Sequence, residues 1–251
     1  MNKERNICIV GLGLLGGSYA MGLTGAGYTV TAVDVRPEAI RYALEKGIIA
    51  AGAVEDFAPL LAGADAVVLG LYPHALVDWL RNNQKHLKPG ALLTDVCGVK
   101  SGVVEEIQGF LRPDAEFIAS HPMAGKEVSG VEHADCAIFK PANFIIVPTE
   151  KNTPRGLAFA RGLAETLGEL AEFDSATTEA ADLVGALVAA MTPPDRDIFL
   201  RKYYLLQSGK EIAAALGMSV ESVNTRLSRG RDRLRRELTE KGVYSHASQK
   251  F

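Results

Sequence analysis

Five histidines occur, at positions 74, 86, 121, 133 and 246, and one of them stands where chemistry is easy to place. His121 follows the apolar run Glu116–Ser120 and opens the segment His121-Pro122-Met123-Ala124-Gly125-Lys126-Glu127. An imidazole at the carboxyl end of a strand can take a proton from a hydroxyl while hydride leaves the adjacent carbon. A histidine there can also cap the strand and bond backbone, and position alone leaves both readings open. A second cluster, Thr94-Asp95-Val96-Cys97-Gly98-Val99-Lys100, follows the run Ala91–Asp95. Cys97 beside Lys100 has the neighbour that a nucleophile needs, but a small residue packed at a strand end is the better reading. Lys126 can meet a substrate carboxylate or solvent, and Glu127 reads as solvated.

The anion-binding residues come earlier. Gly11-Leu12-Gly13-Leu14-Leu15-Gly16-Gly17 is a GxGxxG turn between an apolar run and a helical pattern. Gly11 permits the tight turn, Gly13 lets a pyrophosphate approach backbone, and Gly16 lets the helix pack on the strand. The helix start at Leu14 and Leu15 faces the anion. The next strand ends at Asp34, 18 residues after Gly16, where a carboxylate accepts hydrogen bonds from an adenosine ribose. Asp34 favours NAD, because it would repel a 2′-phosphate. Arg36, two positions on, is placed to bind that phosphate, so NADP stays open as the alternative.

These residues need a scaffold, and the pattern predicts one. Runs at Asn6–Val10, Thr29–Asp34, Ala66–Leu71, Ala91–Asp95, Glu116–Ser120 and Asn143–Pro148 read as strands. Helical patterns fall around Leu14–Thr24, Pro37–Lys46, Ala75–His86, Val103–Leu111 and Arg155–Leu167. Short strands without strict alternation are buried on both faces, which predicts an α/β, Rossmann-like, doubly wound parallel sheet. Ligands of such sheets bind beyond the carboxyl ends of the strands, where His121 and the glycine turn both lie.

Composition removes other classes. Among 251 residues, 47% are hydrophobic and 23% charged, which excludes a disordered chain, and 25 glycines without a three-residue period exclude a collagen-like one. Cys8, Cys97 and Cys136 form no CxxC pair and have no histidine at ligand spacing, so neither a disulfide framework nor a metal site is expected. Lys3 and Arg5 before the stretch Ile7 to Leu23 mimic a signal peptide, but the glycine cluster inside it suits a strand-turn-helix better. No apolar run reaches the roughly 18 residues of a membrane span. A cytoplasmic protein is the expectation. The net charge of −3 conceals two halves: residues 1–181 hold 15 Lys and Arg against 22 Asp and Glu, and residues 182–251 hold 12 against 8.

GLGLLGGS, TDVCGVK and SHPMAGKEVSGVEHAD followed by ANFIIVPTE resemble the cofactor domain of prephenate and arogenate dehydrogenases, from about Ile7 to Thr178. The resemblance implies an NAD(P)-dependent oxidative decarboxylation in tyrosine biosynthesis. His121 would hydrogen-bond the ring hydroxyl of prephenate or arogenate, hydride would pass to nicotinamide, and carbon dioxide would leave. For prephenate the product would be 4-hydroxyphenylpyruvate, with aromatisation as driving force. Gly98, Ser120 and Lys126 become candidate substrate contacts. Many members have Ser in a GSVK run where this chain has Gly98, which cannot supply that hydroxyl.

The family would continue after Glu179 with an all-helical dimer domain, and this chain does not. Thr192-Pro193-Pro194-Asp195 starts a helix expected over Arg196–Leu206, with Ile198, Phe199, Tyr203 and Leu206 on one face. Ser208 caps Gly209–Leu216, Gly217 breaks the chain, and Ser219 caps a helix from Val220 to about Leu238. This is a helix-turn-helix layout, and Arg226 to Arg236 holds six arginines and one acid. Thr192 to Leu238 resembles region four of bacterial sigma factors, carried by Pro194, Phe199, Leu200, Tyr203, Glu211, Ile212, Ala213, Gly217, Val223, Leu227 and Arg235 among others. The resemblance makes Ser222, Asn224, Thr225, Arg226 and Arg229 candidate contacts to double-stranded DNA. The expected organisation is residues 1–178 as dinucleotide domain, 179–241 as helical domain and 242–251 as a fraying tail. Without the dimer domain, a monomer or weak dimer is expected. Three readings are open: a dehydrogenase, a dinucleotide-binding DNA-binding regulator, or an inactive fusion of a truncated enzyme with a sigma-like end.

Overall fold

The computed structural model describes residues 5–98, 100, 102–126, 128–140, 142–168, 184, 186–204 and 207–240. Glu127, Leu206, the expected boundary at 178 and the tail 242–251 lie outside the described residues. The chain divides into two compact units, Met1–Ala171 and Glu172–Phe251.

The first unit is the expected doubly wound sheet. Its strands are β1 (Asn6–Val10), β2 (Thr29–Val33), β3 (Ala51–Ala53), β4 (Ala66–Leu69), β5 (Leu92–Asp95), β6 (Glu116–Pro122) and β7 (Phe144–Val147), in the order β3-β2-β1-β4-β5-β6-β7. Helices α1 (Leu14–Gly25), α2 (Pro37–Glu45), α3 (Ala58–Gly63), α4 (Pro73–Asn83), α5 (Val103–Phe110) and α6 (Pro154–Leu167) connect or flank them. Strand residues alternate between two cores. Ile7 and Ile9 of β1 join Val30, Val68, Leu92 and Ile118 under α1, α2 and α6. Cys8 and Val10 join Val67, Leu69, Leu93 and Phe117 under α3, α4 and α5. Each large aliphatic side chain so removed from water contributes about 1.5–3 kcal/mol, which is why both faces must be covered.

Three features depart from the expected elements. The strand Ala51–Ala53 and helix α3 are additional to the sequence pattern; Ala-Gly-Ala has no β-branched residue to announce a strand, and it forms by pairing with Thr31–Val33. Strand β7 runs antiparallel to β6. A parallel return needs a crossover of a dozen or more residues, usually helical, whereas Val131–His133 and Cys136–Phe139 form only single 3₁₀ turns. Strand β6 also continues to Pro122, so His121 sits within the strand, opposite Ile145 of β7.

The second unit has its own small core of Met191, Ile198, Phe199, Ile212, Ala213, Val223 and Leu227. Its elements include α7 (Asp195–Phe199), a π-helical turn over Leu200–Tyr204, α8 (Gly209–Leu216) and α9 (Val220–Glu240). The π turn replaces the second half of the expected helix. Tyr203 is exposed rather than in the core; its ring lies 5.4 Å from that of Phe199, and its hydroxyl accepts from Arg231 at 3.2 Å. A π turn adds residues per turn and rotates the succeeding side chains off the buried face. Ser208 and Glu211 form a capping box on α8, Gly217 ends it at φ +64, and Ser219 Oγ accepts from the Ser222 N–H as α9 begins. Among the described residues, no helix is long and apolar enough to cross a membrane.

A Cβ on Gly16 would lie 1.9 Å from the carbonyl oxygen of Gly11, whereas one on Gly13 would meet nothing within 4 Å. Gly16→Ala is expected to lose at least about 1–3 kcal/mol of stability, because backbone must move. Gly13→Ala is expected to stay within about 1 kcal/mol of the parent. Urea denaturation of the two variants checks the pair.

Candidate active site

The glycine turn sits where the order of the strands reverses, between β1 and β4. Gly11 leaves β1 at φ +92, and a Cβ there would lie 2.6 Å from the carbonyl oxygen of Gly70, the residue that follows β4. Gly70 in turn has room for no Cβ, with Gly11 O at 2.7 Å and Gly16 Cα at 3.3 Å. Three glycines thus bring the ends of two strands and the start of α1 into contact. The first helical bond runs from the Gly17 N–H to Gly13 O at 2.9 Å, so the N–H groups of Leu14, Leu15 and Gly16 have no carbonyl within the helix. Unpaired N–H groups at a helix start beside the open space at Gly13 fit a pyrophosphate.

Asp34 holds this turn from the end of β2. Its Oδ2 accepts the Leu12 N–H at 2.6 Å, and its Oδ1 accepts the Arg36 N–H at 2.8 Å. The Arg36 guanidinium lies across the turn, 3.4 Å from Asp34 Oδ1 and donating to Leu12 O at 3.1 Å, with its side chain 41% exposed. Oδ2 keeps acceptor capacity for a ribose hydroxyl. Val35 and Tyr72, at the ends of β2 and β4, are both exposed.

Two strands from β4, β6 presents His121. Its Nδ1 lies 2.8 Å from Val96 O. A carbonyl only accepts, so Nδ1 carries the proton and Nε2 keeps its lone pair. Burial of the imidazole, joined by the Lys100 charge, pushes its pKa below the ordinary 6.5 against the pull of the Val96 bond and Asp95, which favours the neutral ring. Nε2 faces Gly98, where a Cβ would stand 3.4 Å away.

Beneath the imidazole lies a polar network to which the sequence pattern assigns no role. Asp95 has no exposed surface; it accepts from the Ser120 N–H at 3.1 Å, from the Cys97 N–H at 3.1 Å and from Lys100 Nζ at 2.5 Å. Lys100 Nζ also donates to Ser120 O at 2.7 Å. Thr94 Oγ1 lies 2.7 Å from both Ile118 O and Ser120 Oγ, and Ser120 Oγ lies 3.1 Å from Asp95 O. The Tyr19 hydroxyl from α1 joins that chain at Ser120, and burial with the nearby Asp95 charge raises its pKa. Asp95 at the end of an otherwise apolar strand, with Lys100 five residues on, was the signal for this network. Gly70 left a weaker signal, as a glycine directly after a strand where the strand order reverses.

The sequence candidates therefore separate. His121 and Gly98 meet. Ser120 is 4% exposed, and its hydroxyl lies 2.7 Å from Thr94 Oγ1. Lys126 Nζ pairs with Asp135 at 2.8 Å. Cys97 donates its thiol to Leu71 O at 3.0 Å, and burial with the Asp95 charge pushes its pKa up to about 12, which suits packing and not attack. Among the described residues, no group of three or more His, Cys, Asp or Glu is arranged to hold a metal ion.

In the second unit Ser222, Thr225, Arg226 and Arg229 line one shallow groove on α9, together with Ser219 and Glu221. Asn224 faces elsewhere, its Oδ1 3.2 Å from where a Gly209 Cβ would stand. Arg226 pairs with Asp195 at 2.7 Å.

Known proteins share these features. Residues 20–171 match the family model for the prephenate dehydrogenase nucleotide-binding domain, and residues 181–234 match sigma-70 region 4. The chain is 27% identical over 192 residues to a prephenate dehydrogenase of Bacillus subtilis (strain 168), covering 75% of this chain and 51% of that protein. It is 34% identical over 149 residues to a prephenate dehydrogenase of Lactococcus lactis subsp. cremoris, covering 57% and 40%. The chain thus spans about half the length of these curated relatives. Among solved structures, the Synechocystis arogenate dehydrogenase superposes with a TM-score of 0.64 at 25% identity, covering 94% of this chain and 87% of that one. The Aquifex aeolicus prephenate dehydrogenase does so at 0.62 and 22%, covering 94% and 92%, which shows the fold. With a family match over more than half its length, laid on a sheet of order β3-β2-β1-β4-β5-β6-β7, the chain belongs to the prephenate dehydrogenase nucleotide-binding domain family.

Proposed function

We propose that the first unit binds a nicotinamide dinucleotide, NAD with NADP as alternative, and oxidises prephenate or arogenate with decarboxylation. The observation that carries the reading is the fixed tautomer of His121, which leaves Nε2 as a base at the carboxyl end of the sheet. The glycine turn precedes the matched residues 20–171, so its part rests on geometry: the space at Gly13, the N–H groups of α1 and the carboxylate of Asp34. Those residues would hold the pyrophosphate and ribose, with Arg36 positioned for a 2′-phosphate. A bound nicotinamide supplies the hydride acceptor. A related structure from Aquifex aeolicus was solved with hydroxyphenyl propionate and NAD+, which supports such a pairing here.

The protein's own part is then small and specific. Nε2 accepts the hydrogen bond of the ring hydroxyl and takes its proton as the carbon beneath becomes a carbonyl, before the ring aromatises as a phenol. Val96 O keeps Nδ1 protonated and lowers the cost of the imidazolium that forms. Gly98 leaves the approach to Nε2 open, where a serine would add a second hydroxyl.

Saturating NAD+ is expected to raise the melting temperature of the full chain, and Gly13→Ala is expected to remove most of that gain. NADH formation with prephenate and with arogenate tests turnover; no signal with either, while NAD+ binds, rejects the enzyme reading. His121→Asn should keep cofactor affinity within about threefold and lose about 10²–10⁴ in turnover. Since the working form is neutral and its pKa is depressed, kcat/KM should be flat through neutrality and fall only below pH 6.5. An acid limb centred above that value would remove His121 from the role.

For the second unit, the capped α8, the left-handed Gly217 and the shared face of Ser222, Thr225, Arg226 and Arg229 favour a second reading, binding of double-stranded DNA. Gel shifts should weaken steeply with salt, and Arg229→Ala should reduce the slope of log K against log salt by about 1. Binding indifferent to both changes rejects it.

A further inference from the structure

The ladder between β5 and β6 stops at Thr94 opposite Ile118, short of the two residues that matter most, Gly98 and His121. Beyond it, side chains take over from backbone pairing. One carboxylate, Asp95, receives the Ser120 and Cys97 N–H groups, and Lys100 Nζ ties that carboxylate to Ser120 O. Lys100 is 14% exposed and Asp95 is not exposed at all, so neither is solvated as a surface charge would be. The bonded residue Ser120 directly precedes His121, and Cys97 lies between Val96, which holds Nδ1, and Gly98, which faces Nε2.

We infer that Asp95 and Lys100 are positioning residues for His121: their largely buried pair joins the ends of β5 and β6 so that Nδ1 stays on Val96 O and Nε2 stays on Gly98. The inference rests on His121 as the base of the proposed reaction. The bonds shown for both residues run to each other and to backbone, and it is through that backbone that they hold the imidazole. The arrangement also sets the charge around the ring. Lys100 disfavours the imidazolium and Asp95 favours it, while the Cys97 thiol and the Tyr19 phenol, both with raised pKa values, stay neutral. Removing Lys100 therefore raises the pKa of His121, and removing the charge of Asp95 lowers it.

Histidine-labelled full chain, followed by NMR through the acidic range with the His121 signal assigned by its loss in His121→Asn, reads this without turnover. The wild type should show the Nδ1–H tautomer. Lys100→Met should shift the His121 midpoint upward and deplete that tautomer, and Asp95→Asn should shift the midpoint downward. In steady state, Lys100→Met should lose about 10-fold or more in kcat, keep its KM for NAD+ within about twofold, and move the acid limb upward with the NMR midpoint. Should Lys100→Met fail to fold, Lys100→Gln, which keeps a donor and loses the charge, is expected to shift the same way. An unchanged midpoint and tautomer in the folded variant overturns the inference. A chain that shows these shifts and oxidises neither substrate supports the positioning and refutes the enzyme reading.

Discussion

A carboxylate without exposed surface is the constraint on which the site depends. An ionised group taken from water into an apolar sheet costs several kcal/mol unless donors replace its solvent. Asp95 has three, and they come from two different stretches of chain: the N–H of Ser120 on β6, the N–H of Cys97 after β5, and Lys100. Satisfying one charge therefore fixes the height of β6 against the loop that leaves β5. The imidazole of His121 and the open space at Gly98 are brought together as a consequence, although neither residue touches Asp95 through its own side chain.

Asp34 at the end of β2 uses the same device with a different outcome. It too gives oxygens to backbone N–H groups, those of Leu12 and Arg36, and so holds the glycine turn. The difference lies in what remains. Asp95 is closed off by a lysine only 14% exposed, whereas Asp34 keeps an edge to solvent and its cation, Arg36, is 41% exposed. Both carboxylates accept three donors, so what separates them is access to a ligand and not the count of lone pairs, and residue type alone does not show it.

Much of this was legible in the sequence, and the rest was hidden for physical reasons. Apolar runs such as Ile7–Val10 and Val67–Leu69 carried the sheet, because burial on both faces leaves them little freedom of composition. Gly11, Gly13 and Gly16 were legible because the turn needs them at fixed spacing. Ala51–Ala53 was not, since its strand exists only through its partner Thr31–Val33. Lys100 stood in plain view in its motif, but nothing local says that its ammonium reaches a carboxylate five residues back and a carbonyl on the next strand. A 3.6-residue periodicity puts Tyr203 in the core, and a π turn is a change of that period.

The arginines of α9 pose the same question of what a charge is already doing. Arg226 is held by Asp195, Arg233 by Glu237 and Arg235 by Asp232, so the excess of basic residues in this part of the chain overstates the charge on offer. These pairs are well exposed, and such pairs are worth about 0.2–1 kcal/mol. A phosphate can replace the acid at little cost. The pairs Arg233–Glu237 and Arg235–Asp232 lie within α9 and release their arginines without moving any other element. Arg226–Asp195 joins α9 to α7, so using Arg226 on a ligand gives up a contact between helices. Arg229 lies on the same groove as Ser222 and Thr225, and among the described residues it has no acid to give up. Charge density along a helix therefore ranks its arginines poorly; the groove each one lines and the acid each one must leave rank them better.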